Sequence, residues 1–184
     1  MSNISDERYE FFKSNLNAVN GSCERITKAE LGKKLVDLFS AQGLKDCCVN
    51  DTDFLKEAGV VDALAASGVT VYTDHIRLHG ETAKAGITEV HGGIAELGSM
   101  VQLSDAINGR LVAIMPEDFF GILPASKIVD TYDEMFDKID AMGTDIPGYV
   151  GFITGPSRTA DIECVGTVGV HGPLRATCII VEDA

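Results

Sequence analysis

The sequence predicts an α/β fold, a parallel sheet covered by helices, and three observations carry that expectation. Stretches with apolar residues at helical spacing alternate along the chain with short apolar runs of strand length. The chain has 184 residues, 45% hydrophobic and 23% charged, enough for one domain to bury a core without disulfides or metals. No repeat, low-complexity tract or linker divides it, so residues 1–184 read as a single domain. Within it, helices are expected over 1–45 and the α/β core over 46–184.

Each element follows in order. Tyr9, Phe12, Leu16 and Val19 recur at helical spacing and predict a helix over about residues 5–19. Thr27-Lys28-Ala29-Glu30 is a capping box that opens a second helix, with Leu31, Leu35, Leu38 and Phe39 as its apolar stripe and Gly43 at its C-cap. Cys47-Cys48-Val49 reads as a strand, residues 54–66 as a helix interrupted near Gly59, and 69–72 as the next strand. Residues 85–103 carry Gly86, Gly92, Gly93 and Gly98 among short apolar stretches, which suggests brief strands joined by ligand-facing turns. Asn108-Gly109 suits a hairpin, but Ser104-Asp105 equally suits the cap of a short helix, which we favour. Residues 119–123 form a strand ended by Pro124. A helix then runs from Asp130 as N-cap to Gly143, with Tyr132, Met135, Phe136, Ile139 and Met142 inward. The last strands fall at 149–153, 165–170 and 176–181.

Composition narrows the partners. Fifteen Lys and Arg against 28 Asp and Glu give a formal net charge of −13, a field that repels nucleic acid and anionic membrane surfaces. An anionic small molecule needs a local cluster of donors to override it. The five cysteines (Cys23, Cys47, Cys48, Cys164 and Cys178) are odd in number and contain no Cys-x-x-Cys pair. This argues against a disulfide framework, a thiolate zinc site or an iron–sulfur cluster in this chain. Adjacent Cys47 and Cys48 face opposite sides of a strand and read as small buried hydrophobes. The N-terminus lacks a basic start followed by an apolar stretch, and no run is long enough to span a bilayer, so a cytoplasmic protein with reduced thiols is expected.

The segment from Thr154 to Glu163 concentrates the chemistry. Gly155-Pro156 forces a turn after a strand, and Ser157, Arg158 and Thr159 then offer hydroxyl, guanidinium and backbone donors together. Arginine's planar fork suits two-point contact with a carboxylate or phosphate. The structural alternative is that Arg158 pairs with Asp161 or Glu163 and ties the turn down. His75 and His79 share a spacing used by metal sites but lack the His-Glu-x-x-His pattern, and a solvated polar face explains them better.

The run Thr154-Gly155-Pro156-Ser157-Arg158-Thr159-Ala160-Asp161-Ile162-Glu163, with Gly169-Val170-His171-Gly172-Pro173 after it, resembles the C-terminal signature of the LUD (lactate utilisation) domain family. Upstream, Gly86-Ile87-Thr88, Ile94-Ala95-Glu96-Leu97-Gly98-Ser99 and the stretch from Leu123-Pro124 to Ile128-Val129 resemble the same family; the N-terminal half matches only in layout. The resemblance implies a three-layer, mostly parallel sheet flanked by helices, similar to the sugar-phosphate isomerase, ribose-phosphate isomerase and coenzyme A transferase fold. It also implies a part in oxidising L-lactate to pyruvate beside oxidoreductase subunits that carry the iron–sulfur clusters, with no cofactor in this chain. A homo-oligomer is compatible with this picture.

By analogy with the coenzyme A transferases, Glu96 in its glycine-flanked turn is the sharpest catalytic candidate, as nucleophile or base. Leu97 departs from the family pattern, where a small hydroxyl residue is usual. Asp161 and Glu163 are the further carboxylates of the signature. Ser157, Arg158, Thr159, His91, His171 and Gly172 are the expected ligand-binding residues, for a small carboxylate or phosphate; the alternative for the two loop histidines is a bond to a neighbouring carbonyl. The alternative from a different class is a self-sufficient transferase or isomerase with Glu96 at its centre.

Overall fold

In the computed structural model, residues 4–160 and 166–184 are described. A six-stranded sheet, all its pairs parallel, forms the centre in the order β1-β12-β7-β4-β2-β3. Its strands are β1 (Ser22–Ile26), β2 (Asp46–Asn50), β3 (Thr70–Tyr72), β4 (Ala85–Glu89), β7 (Asp118–Pro124) and β12 (Arg175–Val181). The near-continuous apolar runs of β7 and β12 are what burial on both faces demands. Every residue of β7 is buried.

One face is covered by α2 (Leu31–Gln42), α3 (Asp53–Glu57) and α4 (Val60–Ala66). Leu31, Leu35, Phe39, Leu55, Val60 and Leu64 there pack on Cys47, Val49, Ile87, Phe120, Ile122 and Ile179. The other face carries α1 (Asp6–Ala18) and α6 (Ile107–Ile114), with α5 (Ile76–His79) beside them. On that side lies a second, four-stranded sheet in the order β8-β5-β6-β9. It comprises β5 (Gly92–Ile94), β6 (Ser99–Leu103), β8 (Ile128–Val129) and β9 (Val150–Ile153), and α7 (Tyr132–Asp140) packs on it through Met135 and Ile139. A two-stranded hairpin of β10 (Arg158–Ala160) and β11 (Gly166–Val168) completes the chain.

Most elements form where local chemistry places them. Ser5 caps α1 by accepting from Arg8 N–H, and Thr27 and Glu30 form the capping box, here opening a 3-10 turn that runs into α2. Gly59 takes a left-handed φ of +64° and breaks the helical stretch into α3 and α4. Several expectations need correction. The first 45 residues are not all helical: β1 joins the sheet edge against β12, pairing Cys23 with Cys178. The N-cap of α7 is Thr131, because Asp130 is taken by Arg8 at 2.5 and 2.7 Å. Tyr132 and Phe136 point outward, stacking with Phe152 on the surface. Of the strand expected over 165–170, Gly166–Val168 is strand, and Val165 lies outside the described residues.

The glycines of residues 85–103 serve packing rather than ligand-facing turns. A Cβ on Gly86 would run into the carbonyl of Val112 in α6, and one on Gly98 into the backbone of α1 at Leu16. These positions let helices lie directly on strands.

Candidate functional site

The signature segment forms one wall of an open cleft of about 680 Å³. Gly155, at φ +75°, turns the chain out of β9 while its open face meets the Val19 carbonyl at the end of α1. Ser157 is then fixed from both sides: its N–H donates to the Pro173 carbonyl at 2.8 Å, and its own carbonyl accepts from Gly169 N–H at 2.9 Å. A Cβ on Gly172 would sit 3.1 Å from the Ser157 Cβ, so the glycine allows the two loops to touch. Ser157, Arg158, Thr159, His171 and Gly172 therefore line one cleft. Its other walls are Ile114 of α6 with Tyr149 and Phe152, apolar surface that no motif in the sequence announces.

The Ser157 N–H expected to face a ligand is spent on Pro173. Arg158 is exposed, and among the described residues it forms no ion pair. Asp161 and Glu163, its alternative partners and the remaining catalytic candidates, lie outside the described residues, as does Cys164.

Glu96 lies elsewhere in the fold and has another task. Its Oε1 accepts from the Tyr132 N–H at 2.5 Å, while its own N–H donates to the Asp130 carbonyl at 3.0 Å. The carboxylate thus sits on the first turn of α7, where unpaired N–H groups and the helix dipole favour negative charge. It lines no part of the cleft. A hydrogen bond of 2.6 Å between the Ser99 and Thr154 hydroxyls ties the Glu96 turn to the signature loop, so the two motifs are neighbours in the scaffold.

His91 is also outside the cleft, in a small depression beside Lys127 and Met135. Its Nδ1 accepts from Leu103 N–H at 3.2 Å, an arrangement that holds the neutral ring. Desolvation, and then the nearby Lys127 ammonium, hold its pKa below the ordinary value, with Glu89 opposing. His79 stacks on Tyr72 at 3.9 Å and His75 is exposed at φ +46°, so the pair shares no metal-binding face. No group of three or more His, Cys, Asp or Glu with metal-site geometry occurs among the described residues. Cys47 and Cys48 do face opposite sides of β2. Burial pushes their thiols up to about 12 and about 11, far from the reactive thiolate range.

No helix among the described residues is long and apolar enough to cross a membrane. Comparison with known proteins identifies the family. The lactate utilization protein C 1 of Bacillus mycoides (strain KBAB4) is 31% identical over 179 residues, covering 90% of this chain and 75% of that protein. The Escherichia coli (strain K12) protein YkgG is 30% identical over 169 residues, covering 88% of this chain and 73% of the relative. A crystal structure of a DUF162 family protein from Deinococcus radiodurans superposes with a TM-score of 0.67 at 18% identity, over 95% of this chain and 96% of that one, and shows the same fold. The sequence model of the LUD domain matches residues 9–181. With nearly the whole chain matched, the protein belongs to the LUD domain family.

Proposed function

We propose that this chain is an accessory subunit of a lactate-utilisation system, holding a small carboxylate in the signature cleft while iron–sulfur oxidoreductase subunits carry the electrons from L-lactate to pyruvate. The observation that carries this reading is the cleft itself. Ser157, Arg158, Thr159 and His171 come together from two loops against an apolar wall of Ile114 and Phe152. A guanidinium and hydroxyls beside apolar surface suit a short carbon skeleton bearing one carboxylate. The name of the Bacillus mycoides relative points to the same metabolism.

Glu96 as the nucleophile of a self-sufficient transferase finds less support, since its carboxylate is engaged at the α7 N-terminus away from the cleft. Two measurements test the proposal. The purified chain alone should reduce no artificial acceptor with lactate, and turnover should appear when the iron–sulfur subunits are added; robust turnover by the lone chain overturns the accessory role. Lactate or pyruvate at about 100 times its dissociation constant should add roughly 2.7 kcal/mol and raise Tm by a few degrees. That shift should vanish in Arg158→Ala; a shift that survives removes Arg158 from the site.

A further inference from the structure

The switch in strand order gives this fold a second place to bind a ligand. From β2 the chain moves outward to β3, then returns to lay β4 on the opposite side of β2. The crevice beyond the carboxyl ends of β2 and β4 is therefore a topological switch point, where open parallel sheets take ligands. Three polar side chains converge there. Asn50 ends β2, Gln102 reaches in from β6, and Ser104 follows it. Their Nδ2, Nε2 and Oγ atoms lie 3.3, 2.9 and 3.5 Å from the point a Cβ on Gly109 would occupy. Gly109 is the third residue of α6, and a Cβ in a helix tilts toward the N-terminus, so this point lies by the helix start.

That start lacks a side-chain cap. The N-cap residue is Ala106; Ser104, which the sequence suggests as a cap, instead donates to the Ala106 carbonyl, and Asp105 accepts from Gly148 N–H. The helix start leaves the N–H groups of Ile107, Asn108 and Gly109 as orphan donors with a partial positive charge. Gln102 is only 1% exposed, yet neither atom of its amide has a hydrogen-bond partner among the described residues. The other buried side-chain atoms without partners among the described residues are Asp51 Oδ1 and Arg110 Nε, each one residue from this cluster. Buried polar atoms are normally paired, so the Gln102 amide at the start of α6 calls for a partner. Ala106, Ile107 and Asn108 are exposed and give access from solvent.

We infer that the N-terminus of α6, Gln102 and Asn50 form a binding site for a small oxyanion, a carboxylate or a phosphate group, separate from the signature cleft. The α6 N–H groups and the Gln102 amide donate to the oxyanion. Asn50 keeps one N–H for it while the other donates to Thr88 Oγ1 at 3.1 Å. Gly109 lets the Gln102 amide, Asn50 and Ser104 lie against the start of α6, where a Cβ would displace them.

The test is a titration of the 15N-labelled full chain, followed by amide NMR, in the Arg158→Ala background so that binding in the signature cleft plays no part. The probes are sodium phosphate, acetate and glycolate, each against sodium chloride at equal ionic strength. Saturable movement of the Ile107, Asn108 and Gly109 backbone amides and the Gln102 side-chain amide is expected with at least one probe. Response to phosphate alone assigns a phosphate group; response to acetate and glycolate alone assigns a carboxylate. Gly109→Ala suits a helix interior and should fold, yet should weaken binding by about tenfold or more. Gln102→Leu should do the same. No saturable movement with any of the three anions, or unchanged affinity in both variants, overturns the site.

Discussion

The neighbouring inner strands β7 and β12 of the main sheet and the hairpin that carries the family signature are opposites. In β7 every residue is buried, and β12 is buried from Ala176 to Val181. Phe120 of β7 meets Phe39 of α2 with ring centroids 5.4 Å apart, so the sheet and its covering helix share one core. In the hairpin, Arg158, Ala160 and all of β11 are exposed, and its register pairs Arg158 with Val168 at the molecular surface. Burial explains the choice of residues in the first region and explains almost none in the second. What distinguishes the signature is therefore what it presents to solvent. The contrast separates residues that hold the fold from residues that use it.

The contrast breaks first if a core residue proves replaceable. Phe120→Ala should cost about 3–5 kcal/mol, the range for emptying a buried aromatic site, and urea denaturation would read it directly. Asp118 comes next. It begins β7, is 2% exposed, and receives both Nε and Nη2 of Arg175 opposite it on β12. Arg175 itself is 56% exposed, so water screens the pair, and Asp118→Asn should cost about 1–2 kcal/mol. A loss near zero would show that the bidentate contact is surface ornament.

Glu96→Gln sharpens the middle ground. As a carboxylate on the first turn of α7, it should contribute about 0.3–1 kcal/mol, and its loss should leave lactate turnover of the assembled system unchanged. A collapse of turnover with normal folding would return Glu96 to the chemistry. His91 tests the same border through pH. Its native pKa lies below the ordinary 6.5, so the unfolded chain takes up the proton first as pH falls. Stability should be full above 6.5 and decline gently from there toward the lower native value. Urea midpoints across that range should slope for the wild type and flatten in His91→Gln. The smallest effect on stability belongs to Arg158→Ala, within about 0.5 kcal/mol, because the side chain is exposed and makes no ion pair among the described residues. A much larger loss would make the signature structural and dissolve the contrast.

The layout of this protein was legible because it rests on local rules. Apolar period, the Thr27 capping box and left-handed glycines at 43 and 59 are settled within a few residues, and the helices and buried strands followed from them. The short edge strand β1 escaped because Ser22–Ile26 mixes polar and apolar residues and is defined only by its pairing with β12. The Arg158 loop stood out in sequence by its residue types, and the structure places His171 and Gly172 beside it. Glu96 and His91 read as part of the same site because sequence reports chemistry without direction; their carboxylate and imidazole are turned toward α7 and β6.

What the sequence determined by itself is the α/β class, the alternation of elements and the family to which the chain belongs, since period, caps and the Thr154–Glu163 run are properties of short segments. The tertiary structure alone decided which loops meet, that the middle glycines let helices rest on strands, and that Gln102, Asn50 and Gly109 converge at a strand-order switch. Those outcomes depend on contacts between separate segments, such as Gly98 with Leu16 and Gly109 with Asn50, whose energies no short stretch of sequence encodes.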